Sequence, residues 1–175
     1  MSASRLLFLS RRLDRFADRV GHFAAWAALG LVLVTFAVVV LRYLFQIGWI
    51  AMQESILYLH ASLFLLGAAY TLRHDGHVRV DIFYRDFSPR ARALVNLCGA
   101  LLLLLPVCSF LLWVSWDYVS MAWALREGSP EAGGLPYVYL LKTLIPVAAV
   151  LLILQGIAQA LASLGVLLGA RDDGA

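Results

Sequence analysis

Long apolar runs alternate with short polar stretches along the chain. No Asp, Glu, Lys or Arg occurs in residues 23–41, 55–72, 93–116 or 143–170. A helix needs about 20 apolar residues to cross a hydrocarbon core of ~30 Å. The pattern therefore predicts four transmembrane helices, at about 23–45, 54–72, 93–117 and 138–168. A closed barrel is the other way to satisfy a backbone in lipid, but its strands alternate apolar and polar residues. Stretches such as LGLVLVTFAVVVL (29–41) and LLLLLPVCSFLLW (101–113) do not alternate. The expected fold is an all-α membrane protein with four transmembrane helices. Pro106 and Pro146 fall inside the third and fourth spans and predict kinks, because neighbouring helices can satisfy the carbonyls they free.

The 1–22 segment has a different pattern. Leu6, Leu9, Leu13, Phe16 and Val20 recur at three- and four-residue spacing, with Arg5, Arg12, Arg15 and Arg19 between them. This predicts a basic amphipathic helix lying in the headgroup plane. Its charged part is too long for a cleaved signal peptide, and the apolar run after it lacks a small-residue cleavage pattern. The expected organisation is this interfacial segment, a four-helix membrane domain over 23–170, and a tail at 171–175.

Composition supports the membrane reading and adds orientation. The 175 residues are 62% hydrophobic and only 14% charged, with a mean hydropathy of +0.83. Soluble domains carry about 25% charged residues. A net charge of +3 could suggest nucleic acid, but in a membrane protein the placement of cations matters more than their sum. Lys and Arg number five before the first span, none in 46–54, five in 73–92, one in 117–137 and one in the tail. Cations gather on the cytoplasmic side, so both termini and the 73–92 connection are expected there. No nucleic-acid partner is expected. Membrane lipids are.

Charged groups near the span ends are the first candidates for chemistry. Arg42 and Lys142 have stems long enough to snorkel to the headgroups. Glu54 opens the second span, where either the helix dipole or a contact with another helix or subunit accounts for a carboxylate. His60 is the one histidine well inside a span, and it reads as a hydrogen-bonded packing residue. Haem ligation would need a facing partner, and no second mid-span histidine exists. Cys98 and Cys108, ten residues apart on one predicted helix, lie too far apart to bridge. No Ser–His–Asp, HExxH or phosphate-cradling pattern is present, so an enzyme is not expected. Broken helices and midplane polar clusters of the kind that mark autonomous transporters are also missing. The spans instead carry small-residue patches, Gly67 among them, where another helix could pack closely.

The stretch FLLGAAYTLRHDGHVRVDIFY (64–84) makes the reading specific. Leu66, Gly67, Ala68 and Ala69, followed by Arg73, His77, Val78, Val80 and Asp81, resemble the DctQ-type small membrane subunit of tripartite ATP-independent periplasmic (TRAP) transporters. GGLPYVYLLKTLIPVAAVLLILQGIA (133–158) is similar to that family's fourth helix, and the resemblance covers about residues 11–165. It departs at one place. Many members have an acidic pair just after a Trp at the start of the second helix, whereas here Trp49 is followed by Gln53-Glu54, leaving one acid.

The resemblance implies a multi-pass subunit of the bacterial inner membrane and a symport system for organic acids. A periplasmic substrate-binding protein would capture the carboxylate, and a large membrane subunit would move it, coupled to sodium. This chain would brace the large subunit and help dock the binding protein, with no cofactor of its own. Arg73, Arg79, Arg85, Arg90 and Arg92 are expected to hold the anionic inner leaflet. Gly76 is expected to supply a turn conformation, His77 and Asp81 to shape the hairpin or seat it on the large subunit, and Arg79 is a further candidate assembly residue. Glu54, Gly67, Arg73 and Lys142 complete the candidate assembly residues. An autonomous small exporter and a haem-binding redox protein are the alternative readings.

Overall fold

A computed structural model describes residues 3–78 and 84–169 of the chain. Arg79, Asp81 and the expected tail lie outside the described residues. Helix α1 spans Ala3–Leu44, α2 Ile50–Arg73, α3 Pro89–Gly99, α4 Leu105–Ala124 and α5 Val138–Leu167. A π-helical turn, Ala100–Leu104, joins α3 to α4, and a short 3-10 turn, Tyr84–Asp86, precedes α3. Four helical stretches are long and apolar enough to cross a membrane, α3 and α4 counting as one from Pro89 to Ala124.

The π turn has a local cause. Pro106 has no N–H to offer the Leu102 carbonyl, and the helix widens just before it, Leu105 N–H donating to Ala100 O. Pro146 lies inside α5 without interrupting it. The basic N-terminal segment continues unbroken into the first span as part of α1. Its Leu9 and Phe16 point outward, whereas Leu6, Ser10, Ala17 and Ala24 are buried. This part of α1 thus turns one stripe toward the protein and another away from it.

All the other helices lean on α5, which packs against α1, α2, α3 and α4. Of its most apolar window 44% is buried, against 6% in α1 and α2 and 11% in the α3–α4 span, so α5 is the centre of the bundle. Small residues allow this. Ala149 and Ala158 are fully buried. A Cβ on Gly156 would come within 2.8 Å of Leu104 Cδ2, and one on Gly165 within 3.0 Å of Leu7 Cδ2. The second contact places the start of α1 beside the end of α5. Ala17, Ala69 and Leu151 form the point where α1, α2 and α5 meet, with Val20, Leu66 and Leu152 around it.

Gly21 governs the α1–α2 contact, because a Cβ there would overlap Cβ and Cγ of Tyr70. Gly21→Val should lower the stability of the purified protein by about 1–3 kcal/mol, the usual cost of overpacking. Gly67→Ala, with nothing within 4 Å of the added carbon, should leave it unchanged or slightly raised. Thermal unfolding in detergent, followed by helical signal, measures both. Equal midpoints for the two variants would contradict the packing described.

Candidate functional site

Two polar clusters sit at opposite ends of α2. At its start, Glu54 lies in the second turn, and the helix begins at Ile50 with no side-chain cap. The carboxylate reaches sideways. Ser129 Oγ donates to Oε1, and Leu135 N–H donates to Oε2 at 2.6 Å. The contact is with the connection between α4 and α5, so Glu54 is a tertiary clamp and no cap.

That connection is built to receive the carboxylate. After Ala124 the chain turns at Arg126, whose φ is +48°, and Glu127 N–H closes onto Ala122 O at 3.0 Å. Ser129 N–H bonds Leu135 O at 2.9 Å, and Glu131 N–H bonds Ser129 Oγ at 3.1 Å. Position 134 must be glycine, since a Cβ would overlap the Ser129 side chain and come to 2.8 Å from Glu54 Oε1. On the other side, Lys142 Nζ donates to both carboxylate oxygens of Glu127, at 2.8 and 2.6 Å, and lies 4.0 Å from the Tyr118 ring centroid. Lys142 therefore does not snorkel; an ion pair and an aromatic face hold it, and its side chain is only 16% exposed. Arg126 stacks over Trp123 and Tyr139, and Trp123 Nε1–H donates to Thr143 Oγ1 at 2.8 Å. α2, α4 and α5 are tied through one loop.

At the other end of α2, Arg73 pairs with Asp18 of α1 and donates to the Asp14 carbonyl at 2.9 Å. Asp14 Oδ1 accepts from Gln155 Nε2 of α5 at 2.9 Å. His74 and His22 crowd the same place: the His74 ring lies 4.2 Å from that of Tyr70, and His22 Nδ1 is 2.7 Å from Asp18 O. Three helices again meet through polar side chains.

The turn after α2 corrects the expectation for Gly76. The left-handed residue is Asp75, with φ +50°. Asp75 N–H bonds Leu72 O at 3.3 Å and Gly76 N–H bonds Thr71 O at 2.9 Å, the two bonds of a Schellman ending. Position 76 has little room, because a Cβ would lie 3.0 Å from Thr71 Cγ2. His77 Nε2 lies 3.3 Å from Ala68 O, so it folds back on α2. Its expected companions Arg79 and Asp81 are outside the described residues.

Two further positions stand apart. Gly67 has nothing within 4 Å of an added Cβ and faces away from the bundle. His60 is exposed, stacks on Phe64 at 6.4 Å, and makes no hydrogen bond to the described residues, contrary to the expected hydrogen-bonded packing role. Asp14, Asp18, Glu127, Ser129 and Gln155 are polar partners in these two clusters that sequence reasoning missed. A signal existed for the first two: they are the only acids in the basic segment, four residues apart and so on one helix face.

The Glu54 clamp has a direct readout. In Glu54→Ala, backbone exchange at Leu135 should quicken about tenfold or more, since its charged acceptor is gone. Glu54→Gln keeps one acceptor oxygen and should fall between. Hydrogen–deuterium exchange across 125–137 measures this, and unchanged protection in Glu54→Ala would refute the clamp.

The family described as "Tripartite ATP-independent periplasmic transporters, DctQ component" matches residues 31–165. A curated protein of Vibrio cholerae serotype O1, named C4-dicarboxylate TRAP transporter small permease protein DctQ, is 31% identical over 108 residues. The match covers 61% of this chain and 46% of that protein, so the chain spans about half the length of this relative. No solved structure matches. With the family match extending from within α1 to near the end of α5, the chain belongs to the DctQ-component family of tripartite ATP-independent periplasmic transporters.

Proposed function

We propose that this chain is the small membrane subunit of a TRAP-type symporter for organic acids, bracing a large transport subunit and helping to dock a periplasmic binding protein. The observation that carries the reading is the family match over residues 31–165. The V. cholerae relative's name supports C4-dicarboxylates as one member of the substrate class. Sodium coupling belongs to the large subunit, and this chain needs no cofactor and performs no catalysis.

The geometry supports a division of labour. The arginine-rich end, where α1 starts beside the end of α5, faces the cytoplasm by the distribution of cations. The 125–137 loop then faces the periplasm of the inner membrane. Glu54 and Lys142 fix it to three helices, so it offers a preformed surface to a docking protein. On α2, Leu57, His60 and Phe64 are exposed and Gly67 is open, on a face that none of the described helices covers. Membrane helices associate through close approach and polar contacts, and this face offers both to the large subunit.

The test is co-purification with the large subunit in detergent. Gly67→Leu should reduce recovery of the complex about tenfold, the effect of roughly 1.4 kcal/mol, while the isolated chain keeps its unfolding midpoint. Gly48→Leu, also in open space but outside the helices, should leave recovery unchanged. Undiminished recovery of Gly67→Leu would remove this face from the interface.

A further inference from the structure

A cavity of about 590 Å³ runs between α4 and α5, with Leu112, Trp123, Thr143, Val150 and Leu154 among its walls and Phe16 of α1 beside them. It follows the start of the long uncharged stretch of α5, 143–170. Val147 and Val150 are 38% and 41% exposed, so the cavity opens outward. The polar atoms at its edge are engaged inside the protein. Trp123 Nε1–H donates to Thr143 Oγ1 at 2.8 Å, Thr143 Oγ1 donates to Tyr139 O at 2.7 Å, and Ser120 Oγ donates to Asp117 O at 3.0 Å. An occupant therefore meets carbon. A cation stands at one end. Arg126 lies over the Trp123 ring, 5.8 Å from its centroid, and over Tyr139 at 5.6 Å. It is exposed and has no ion pair or side-chain hydrogen bond among the described residues. Both oxygens of the adjoining Glu127 are taken by Lys142. The five N–H groups of the guanidinium are left for an acceptor from outside the chain, above the tryptophan that walls the cavity.

Length and texture decide the class of occupant. Thr143 to Leu154 is a rise of about 16 Å at 1.5 Å per residue, roughly half of the ~30 Å hydrocarbon core and so the reach of one acyl chain. A helix of another subunit would cross the whole core. Such helices associate through small residues or polar contacts, whereas these walls are bulky and offer no free polar atom. We propose that the cavity holds one acyl chain of a phospholipid whose phosphate accepts from Arg126. Negative phosphate matches the unpaired cation, and a flexible chain matches the uneven apolar wall. Trp123 then sits where tail meets headgroup, the depth that tryptophan favours in membranes. Lipid held there joins α4 to α5 below the 125–137 loop. This goes beyond the transport role and stands or falls separately from it.

The experiment uses the purified full chain, delipidated in detergent and given a trace of phosphatidylglycerol with a photoreactive diazirine at the end of one acyl chain. Irradiation should label peptides holding Phe16 and Leu154, at the end of the cavity far from Arg126, about tenfold above the α2 peptide holding Leu57 and Phe64, which are also exposed. Unlabelled phosphatidylglycerol should compete about tenfold better than diacylglycerol with the same tails, the effect expected of hydrogen bonds to a charged group. Glycerophosphate, which has no tails, should not compete. Arg126→Gln should bring phosphatidylglycerol down to the diacylglycerol level, and Val150→Trp, which fills the cavity, should lower labelling about tenfold. The competition series on the unaltered protein keeps the test decisive even if a variant misfolds. Labelling as strong on the α2 peptide would overturn the site, and equal competition by diacylglycerol would overturn the phosphate contact. Loss of labelling in the complex with the large subunit would overturn the proposal and give the cavity to a helix of that subunit.

Discussion

Lipid tails are as apolar as leucine, so four spans gain nothing by leaving lipid for one another unless their surfaces fit closely. α5 supplies that fit. Its Ala149, Gly156, Ala158 and Gly165 let α1, the π turn and α3–α4 approach its backbone. The other helices pay for this arrangement with bare outer faces: Trp26 and Phe36 on α1, Phe64 on α2 and Trp113 on α4 are all largely exposed. Such a bundle has one internal axis and much outward apolar surface.

Close packing alone does not fix helix register, and the two polar clusters do so at the ends. Glu54 holds α2 to the α4–α5 loop, and Lys142 holds α5 to the same loop through Glu127. Arg73, Asp18, Asp14 and Gln155 link α2, α1 and α5 at the opposite end. Between them the side-chain bonds of the described residues are local ones within a helix, such as Ser115 Oγ to Leu112 O at 3.2 Å, and His60 is exposed. The loop is thus held from α2 and from α5 as well as through its own chain to α4.

The spans and the helical class were legible because they depend on composition over about twenty residues. The resemblance carried by Gly67, Arg73 and His77 was legible because its spacing is local. Pairings between distant positions were not. Nothing near Gln155 in the sequence announces Asp14, and Lys142 gave no sign that Glu127 would curl back to it. Local rules also misled where two residues shared a job: glycine is the usual left-handed residue, yet Asp75 takes that conformation and Gly76 supplies only room. The basic segment of α1 read as purely interfacial because amphipathicity does not tell which surface will cover a face. Here α5 covers part of it.

Reconstituted uptake tests the account most directly. Liposomes would hold the large membrane subunit with or without this chain, with the binding protein and an organic acid outside and an inward sodium gradient. Sodium-driven uptake should require this chain, falling at least tenfold without it, while the binding protein alone still captures substrate. Uptake at full rate in its absence would contradict the bracing and docking role.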